Sequence, residues 1–346
     1  MVLFSAILFA ASPELSAAPL ALANTRAVRT IEGTSASLIE RSLAYSCLSL
    51  PELPDETSCN PALNGNVTKP TLQFRGLLAS GYANLTDMLA LSKGTFTQDT
   101  ITKLFADDHF LLESEADLDL SFRSRWISAG YRPIQATGII VARNEANPDI
   151  EVRAIKTQSF YTQASFEPIT RLSLGARISY FRLNGVSGRF RLTDGVFPKS
   201  QTESRILVEP GAAYLVPELW NLRFSAFLAR LGGRWGQKFA ALDMPMSPEF
   251  GVSVTPPTYW GTLNLSLEFR DIEGGSTFGQ KWRSGVLYRL GATAMSFGLD
   301  KEGVSFGVYA LLESIGAGIL VSTNHLPWHD NSSYTQTVYS QVVWSF

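Results

Sequence analysis

The sequence predicts an all-β protein, a transmembrane antiparallel β-barrel of about 14 strands, with an N-terminal, partly helical plug segment. Three observations predict it. Apolar and polar residues alternate along many segments, short and long connections take turns between those segments, and the chain closes on an uncharged aromatic stretch, YTQTVYSQVVWSF, at 334–346. Composition agrees. Charged residues make up 17% and hydrophobic residues 45%, whereas soluble domains carry roughly 25% charge at a similar apolar share. Low charge without excess apolarity is what alternation of apolar with neutral polar residues produces. Beyond the extreme N-terminus no uncharged apolar run approaches the ~18 residues of a membrane-crossing helix, which disfavours a helical membrane protein. A net charge of −2 with dispersed Lys and Arg gives no case for nucleic acid as a partner.

The chain divides into three parts. Residues 1–23 read as a signal peptide: MVLFSAILFAA supplies the apolar region, with Ala21-Leu22-Ala23 as the cleavage site and Ser16-Ala17-Ala18 as second choice. No Lys or Arg precedes Arg26, and a short buried apolar helix is the alternative. Residues 24–69 read as a compact N-terminal piece, expected to be the plug. Leu38, Arg41, Leu43, Ala44 and Leu48 fall at helix-like spacings with Ser35 or Ser37 as the cap, and a Pro- and Asn-rich stretch follows through Asn64-Gly65. Cys47 and Cys59 are close enough in sequence to close a small loop in an oxidising periplasm, a crosslink worth about 3 kcal/mol on the chain-entropy scale. A pair of free thiols is the alternative. The barrel occupies 70–346, with a helical insertion at about 84–108 where Leu85–Leu91 and Thr97–Phe105 read as two short helices.

Three strands are plain. Ala116, Leu118, Leu120 and Phe122 alternate with Asp117, Asp119, Ser121 and Arg123; Leu172 to Tyr180 alternates with Arg171 to Ser179; Leu263 to Phe269 alternates with Asn264 to Arg270. A first strand is expected at Thr71 to Ser80, and weaker alternation marks 136–144, 151–166, 204–216, 222–231, 248–255, 282–290, 292–299, 303–312 and 316–324. Short connections fall at 167–170, 217–221, 255–258, 290–292 and near Glu313, and long ones at 184–203, 232–247, 271–281 and 325–333, with 300–303 a tight exception. Short turns on one rim and long loops on the other are expected of outer-membrane barrels. Tyr131, Phe166, Trp220, Tyr259, Trp260, Trp344 and Phe346 sit near turn-side strand ends, where rings meet the membrane interface. In this register Asp117, Asp119, Arg123, Arg171, Arg177, Glu268 and Arg270 face the lumen. Asp117 and Asp119 share a face, which suits acid–base work or cation attraction; balance by Arg123 and Arg125 is the plainer account.

Two resemblances add to this. Val338, Val342, Trp344 and the terminal Phe346 lie on one face, and the segment resembles the C-terminal assembly signal of bacterial outer-membrane proteins; Ser340 departs from it. The resemblance implies residence in the cell outer membrane and reading by the barrel-assembly machinery. Ser58-Cys59-Asn60-Pro61-Ala62-Leu63, just before the first strand, resembles the N-P-A motif of the long-chain fatty acid transporter (FadL-like) superfamily, which includes PorV-like and TraF-like proteins. The tripeptide Asn60, Pro61, Ala62 is also a good rigid turn in its own right. The family likeness implies fourteen strands around an N-terminal hatch, and hydrophobic compounds crossing through the barrel or leaving through its wall.

No enzyme, cofactor or metal site is expected. His325 and His329 with Asp330 have a spacing that suits a metal but sit in a Pro- and Trp-containing loop with no further clustered ligand. No nucleophile, base and orienter can be chosen with His109 or the others from spacing alone. The expected function is passage of small, mostly hydrophobic molecules, with outer-membrane lipid around the barrel. The alternative is a scaffold for envelope or secretion partners, with Phe190, Val196, Phe197, Trp235 and Phe239 of the long loops making the contacts.

Overall fold

The computed structural model describes residues 37–50, 59–66, 69–82, 109–143, 149–191, 200–232, 239, 246–270, 282–300, 303–312, 314–325 and 334–346. A short helix, α1 (Leu38–Ser42), and a 3-10 helix (Pro61–Asn66) precede one antiparallel sheet. Its strands are β1 (Thr71–Tyr82), β2 (His109–Arg123), β3 (Ile127–Arg143), β4 (Asp149–Ile169), β5 (Leu172–Arg191), β6 (Gln201–Val216), β7 (Leu222–Ala229), β8 (Leu231–Gly232) and β9 (Ser247–Val254). The second half continues with β10 (Thr262–Phe269), β11 (Trp282–Leu290), β12 (Thr293–Asp300), β13 (Gly303–Leu311), β14 (Ile315–His325) and β15 (Tyr334–Ser345). Arg230, at φ 62, separates β7 from β8. Both pair with β6, through Gly211↔Phe227 and Val208↔Leu231. Three steps on β6 thus face four on its partner, a bulge within a single wall strand, and the wall has fourteen strands.

Closure is made by β1 and β15, from Gln73↔Ser345 to Tyr82↔Gln336. Leu72 and Phe346 finish the seam by exchanging backbone hydrogen bonds at 3.1 and 2.9 Å. Both ends of the wall therefore lie on the short-turn rim. The period of two places Gln73, Arg75 and Leu77 inside while Phe74 and Leu78 face out, and on β15 it buries Thr337, Tyr339, Gln341 and Val343 while exposing Val342 and Trp344. Each of the rim aromatics Tyr131, Phe166, Trp220, Tyr259, Trp260, Trp344 and Phe346 is exposed, as rings at a lipid–water boundary would be. No helix among the described residues is long and apolar enough to cross a membrane.

Several boundaries differ from the sequence reading, each for a physical reason. The connection expected at 184–203 is mostly strand, since β5 runs to Arg191 and β6 starts at Gln201. The residues NGVSGRFR lack the alternation because the wall is tall here. A strand of 20 residues rises ~3.4 Å per residue, so even tilted it stands above a lipid band of ~25 Å, where outward side chains need not be apolar. Opposite it the wall is low, with β9, β10 and β12 of 8 residues each. β3 begins at Ile127, earlier than the alternation at 136–144 suggests, because its phase flips. Ser128, Gly130 and Arg132 point inward, then Gln135 does, with Pro133 and Ile134 between. Pairing with β2 and β4 shifts at this point, so one extra residue hides the continuity of the strand. The signal peptide, the helices expected within 84–108 and His329 lie outside the described residues.

The exterior is legible as a lipid contact, and a charge there tests it. Ile319, 60% exposed in the middle of β14, replaced in Ile319→Arg should lower folding stability in vesicles by about 2–4 kcal/mol, measured by urea titration. An unchanged midpoint would show that this face meets water.

Candidate functional site

The lumen is occupied by the chain's own N-terminal segment. Ser37 starts α1 with its hydroxyl accepting from Glu40 N at 3.2 Å. The helix ends at Ser42, short of the Leu48 that the spacing suggested, because Ala44 and Tyr45 turn to φ 51 and 62. Backbone groups freed there bond to the wall instead of to the next turn. Leu48 N donates to the Glu268 carboxylate and Tyr45 O accepts from Arg270. Leu38 N donates to Gln341 Oε1 at 2.7 Å, Tyr309 OH to Ser42 Oγ at 2.6 Å, and Ser253 Oγ to Ser49 O at 2.8 Å. Arg41 reaches Glu115 of β2 through two nitrogens, at 2.9 and 2.5 Å, and stacks over Tyr339. The segment is buried throughout its described length, with Leu38, Ile39 and Leu43 at 0% exposure.

A disulfide joins Cys47 to Cys59 and ties this stretch to the Asn60-Pro61-Ala62 turn. Asn60 Oδ1 accepts from Ala62 N at 3.0 Å, and Asn60 Nδ2 donates to the Ala212 carbonyl of β6 at 3.1 Å. Pro61 opens the 3-10 helix, whose Asn64 is held by Ser128 and Gln163 and donates to Ser124 O at 3.0 Å. Glu40 lies beside Cys47 and Cys59 in an arrangement of potential metal ligands, but both sulfurs are spent in the disulfide and offer no thiolate.

Glycines in the wall make room for this segment. A Cβ on Gly175 would come within 2.5 Å of the Ala62 nitrogen, and one on Gly211 would collide with Asn60 Oδ1. Across the barrel, side chains on Gly298 and Gly307 would strike the backbone of Leu43 and Ala44 and the side chain of Ser42. These are close-approach positions where only hydrogen fits, and sequence reasoning missed them because a lone glycine in a strand does not announce its neighbour.

The charged lumen residues form compact sets. Arg177 pairs with Glu209 at 2.7 Å, and Arg270 with Glu268 at 2.7 Å and Glu249 at 3.5 Å. Asp117 and Asp119 are not balanced by Arg123 and Arg125 in the way the sequence suggested. Their ion pairs run to Arg75, 3.0 Å from Asp119, and to Arg132, 3.3 Å from Asp117. Arg123 is half-buried at the end of β2, and Arg125 lies exposed over the Trp126 ring. Arg171 is a correction: it belongs to the rim, since the β4–β5 turn gives it φ 76 and sends its side chain out to Glu218 at 2.8 Å. The Glu218 carboxyl is held below its ordinary value chiefly by its own backbone N–H, with Arg171 adding to the effect. Arg41, Arg75, Glu115, Arg132 and Glu209 were missed. Arg132 beside Pro133 is the one a phase flip could have exposed; the others needed knowledge of which strands face each other. Of the loop aromatics, Phe239 is fully buried, while Val196, Phe197 and Trp235 lie outside the described residues.

A closed antiparallel sheet with an apolar exterior, a polar and internally paired lumen and a folded-in N-terminal plug defines an outer-membrane β-barrel. Comparison of the sequence with protein-family profiles and with curated proteins finds no match. Among solved structures, the toluene transporter TbuX of Ralstonia pickettii is similar at TM-score 0.53 and 11% identity, covering 89% of this chain and 97% of that one. The deltaS2 mutant of the TodX monoaromatic hydrocarbon channel is similar at 0.52 and 10%, covering 91% and 99%. The chain has the FadL-like barrel fold.

The glycine bed gives a direct test of how the plug is seated. Gly298→Leu should displace residues 42–44 while leaving the barrel heat-modifiable, so that trypsin cuts at Arg41 in the variant and not in the parent. Protection equal to the parent's would show that the wall yields instead.

Proposed function

We propose that the chain is a plug-occluded outer-membrane barrel that passes small apolar molecules. The observation that carries this reading is a continuous apolar cluster shared by the inner wall and the plug. Leu77, Leu287, Tyr309, Leu320 and Tyr339 of the wall share one buried cluster with Leu38, Ile39, Leu43 and Leu48 of the plug. A route for ions or sugars would be lined by hydrated groups, whereas here the contact between plug and wall is apolar and favours the transfer of apolar surface from water. The likeness of fold to a toluene transporter and a monoaromatic hydrocarbon channel supports the reading. The plug, residues 24–69 on the sequence division, is the selective element, and residues 70–346 are the wall. Asn60, Pro61 and Ala62 fix the plug to β6, and the Cys47–Cys59 bridge keeps its two halves together. Val338, Val342, Trp344 and Phe346 serve the assembly machinery before the seam closes. No step of this function requires a catalytic residue or cofactor.

The reading is tested by uptake. Cells carrying the chain in their outer membrane should take up radiolabelled toluene several-fold faster than cells without it, with no gain for a neutral sugar of similar size. Removing residues 24–69 should raise the conductance of the barrel in planar bilayers. Equal toluene rates in the two strains would refute the function, and unchanged conductance would refute the occlusion.

A further inference from the structure

We propose that the barrel sits lopsided in the outer membrane, with the turns beneath β9–β14 immersed in the leaflet at the short-turn rim while the turns beneath β2–β5 stand in water. The partner this surface fits is lipid acyl chain, and the surface continues the apolar exterior of the wall without a break. The seat is independent of what crosses the barrel.

On one side the wall is too low to cross by its strands alone. β12 has 8 residues and β13 has 9, and they meet at Asp300↔Gly303, where Gly303 N donates to Asp300 Oδ1 at 3.0 Å. Strands of about eight residues rising ~3.4 Å each at a tilt of ~40° reach about 21 Å, less than a lipid band of ~25 Å. Asp300, Lys301 and Glu302 are consecutive in sequence, and three charges keep the loop-side end of this hairpin at the headgroups. The shortfall therefore falls at the turn-side rim, where a short hydrophobic span recruits its flanking residues or thins the bilayer.

The residues at that rim fit lipid. Tyr259 is 101% exposed, Trp260 76% and Leu312 68%, and Leu290 is exposed beside them. Among the described residues of 255–261, 290–292 and 312–314 none is charged. The β9–β10 turn is held in its pose: Tyr288 OH donates to Trp260 O at 2.6 Å and Thr258 Oγ1 to Gly261 O at 2.7 Å. Gly261 lies at φ 73, so close to Arg289 O that a Cβ would collide. Arg289 itself falls on the inward phase of β11, with Arg283 and Leu287.

Across the barrel the turns are of the opposite kind. Arg125 on 124–126, and Glu167 and Arg171 on 167–171, are exposed, and the Arg171–Glu218 ion pair lies at the surface. Charge against lipid destabilises a barrel more the deeper it lies, so these turns stand beyond the hydrocarbon, and the exposed Trp126 and Ile169 mark its edge. One rim thus has an apolar half and a charged half, and a tilted seat gives each its own solvent.

The test is spin labelling of the full chain in phospholipid vesicles, in the single variants Tyr259→Cys, Arg125→Cys and Ile319→Cys. The native cysteines are joined to each other and take no label. Collision with dissolved oxygen reports hydrocarbon, and collision with a water-soluble nickel chelate reports water. The label at 319 should meet oxygen, as the outward wall does. The label at 259 should match it, favouring oxygen several-fold over nickel, and the label at 125 should show the reverse. All three positions are exposed, and heat-modifiable migration confirms folding; Leu290→Cys replaces Tyr259→Cys if that turn is disturbed. If 319 lies in lipid while 259 meets nickel as freely as 125 does, or meets both reagents equally, the lopsided seat is overturned and the membrane reading stands. A label at 319 in water would overturn both.

Discussion

The backbone of this chain has to satisfy every N–H and C=O without help from water wherever it meets lipid. Each unsatisfied group in hydrocarbon costs several kcal/mol, so an open sheet of this length could not persist there, and the edge of β1 has no option but β15. That requirement places the last strand against the first and forbids a charge on the outward face of either. Leu72 and Phe346 complete the ladder to its final residue. The uncharged, aromatic C-terminus is the consequence of a seam rather than a peculiarity of the last residues.

Closure creates a second problem, because inward side chains of fourteen strands leave a lumen that must be filled or hydrated. The chain fills it with its own plug and pairs the charges that remain. Buried ion pairs are poor sources of stability, since desolvation offsets much of their attraction. Their worth here is positional. Arg41 lies in the lumen opposite Glu115, and Leu48 N beside Glu268, so these two carboxylates help to set where the plug rests. Gly175 of β5 and Gly298 of β12 then bring backbone against backbone, and Gly211 of β6 and Gly307 of β13 admit plug side chains, at distances that a Cβ would forbid.

The division between what the sequence disclosed and what it hid follows from the range of each interaction. Alternation is local, so β11 was read at its observed limits, 282–290, and the lumen positions Asp117, Asp119, Arg177, Glu268 and Arg270 are buried as the pattern implied. Cys47 and Cys59 are near neighbours in sequence, and their bridge was expected from that spacing and from export, with free thiols as the alternative. Partners across the barrel have no such signal: Leu38 N and Gln341 are 303 residues apart. The carboxylates Asp117 and Asp119 were therefore visible while Arg75 and Arg132 were not. Where the wall rises above lipid the pattern itself dissolves, which is why 184–191 reads as loop and folds as strand.

The same geometry constrains how anything could pass. The plug is fastened to β2 by Arg41, to β10 by Leu48, to β13 by Ser42, to β15 by Leu38 and to β6 by Asn60, which are contacts spread around the whole circumference. Withdrawing it as a unit would break the charged attachments of Arg41, Tyr45 and Leu48 together, each worth about 1.5–3 kcal/mol, along with the neutral ones and the burial of its leucines. On the proposed function, a small apolar molecule moving along the cluster of Leu77, Leu287 and Leu320 would need only to displace side chains. On the passage reading the lower barrier therefore lies beside a seated plug, and selection for size and apolarity arises from the width of that apolar seam between plug and wall.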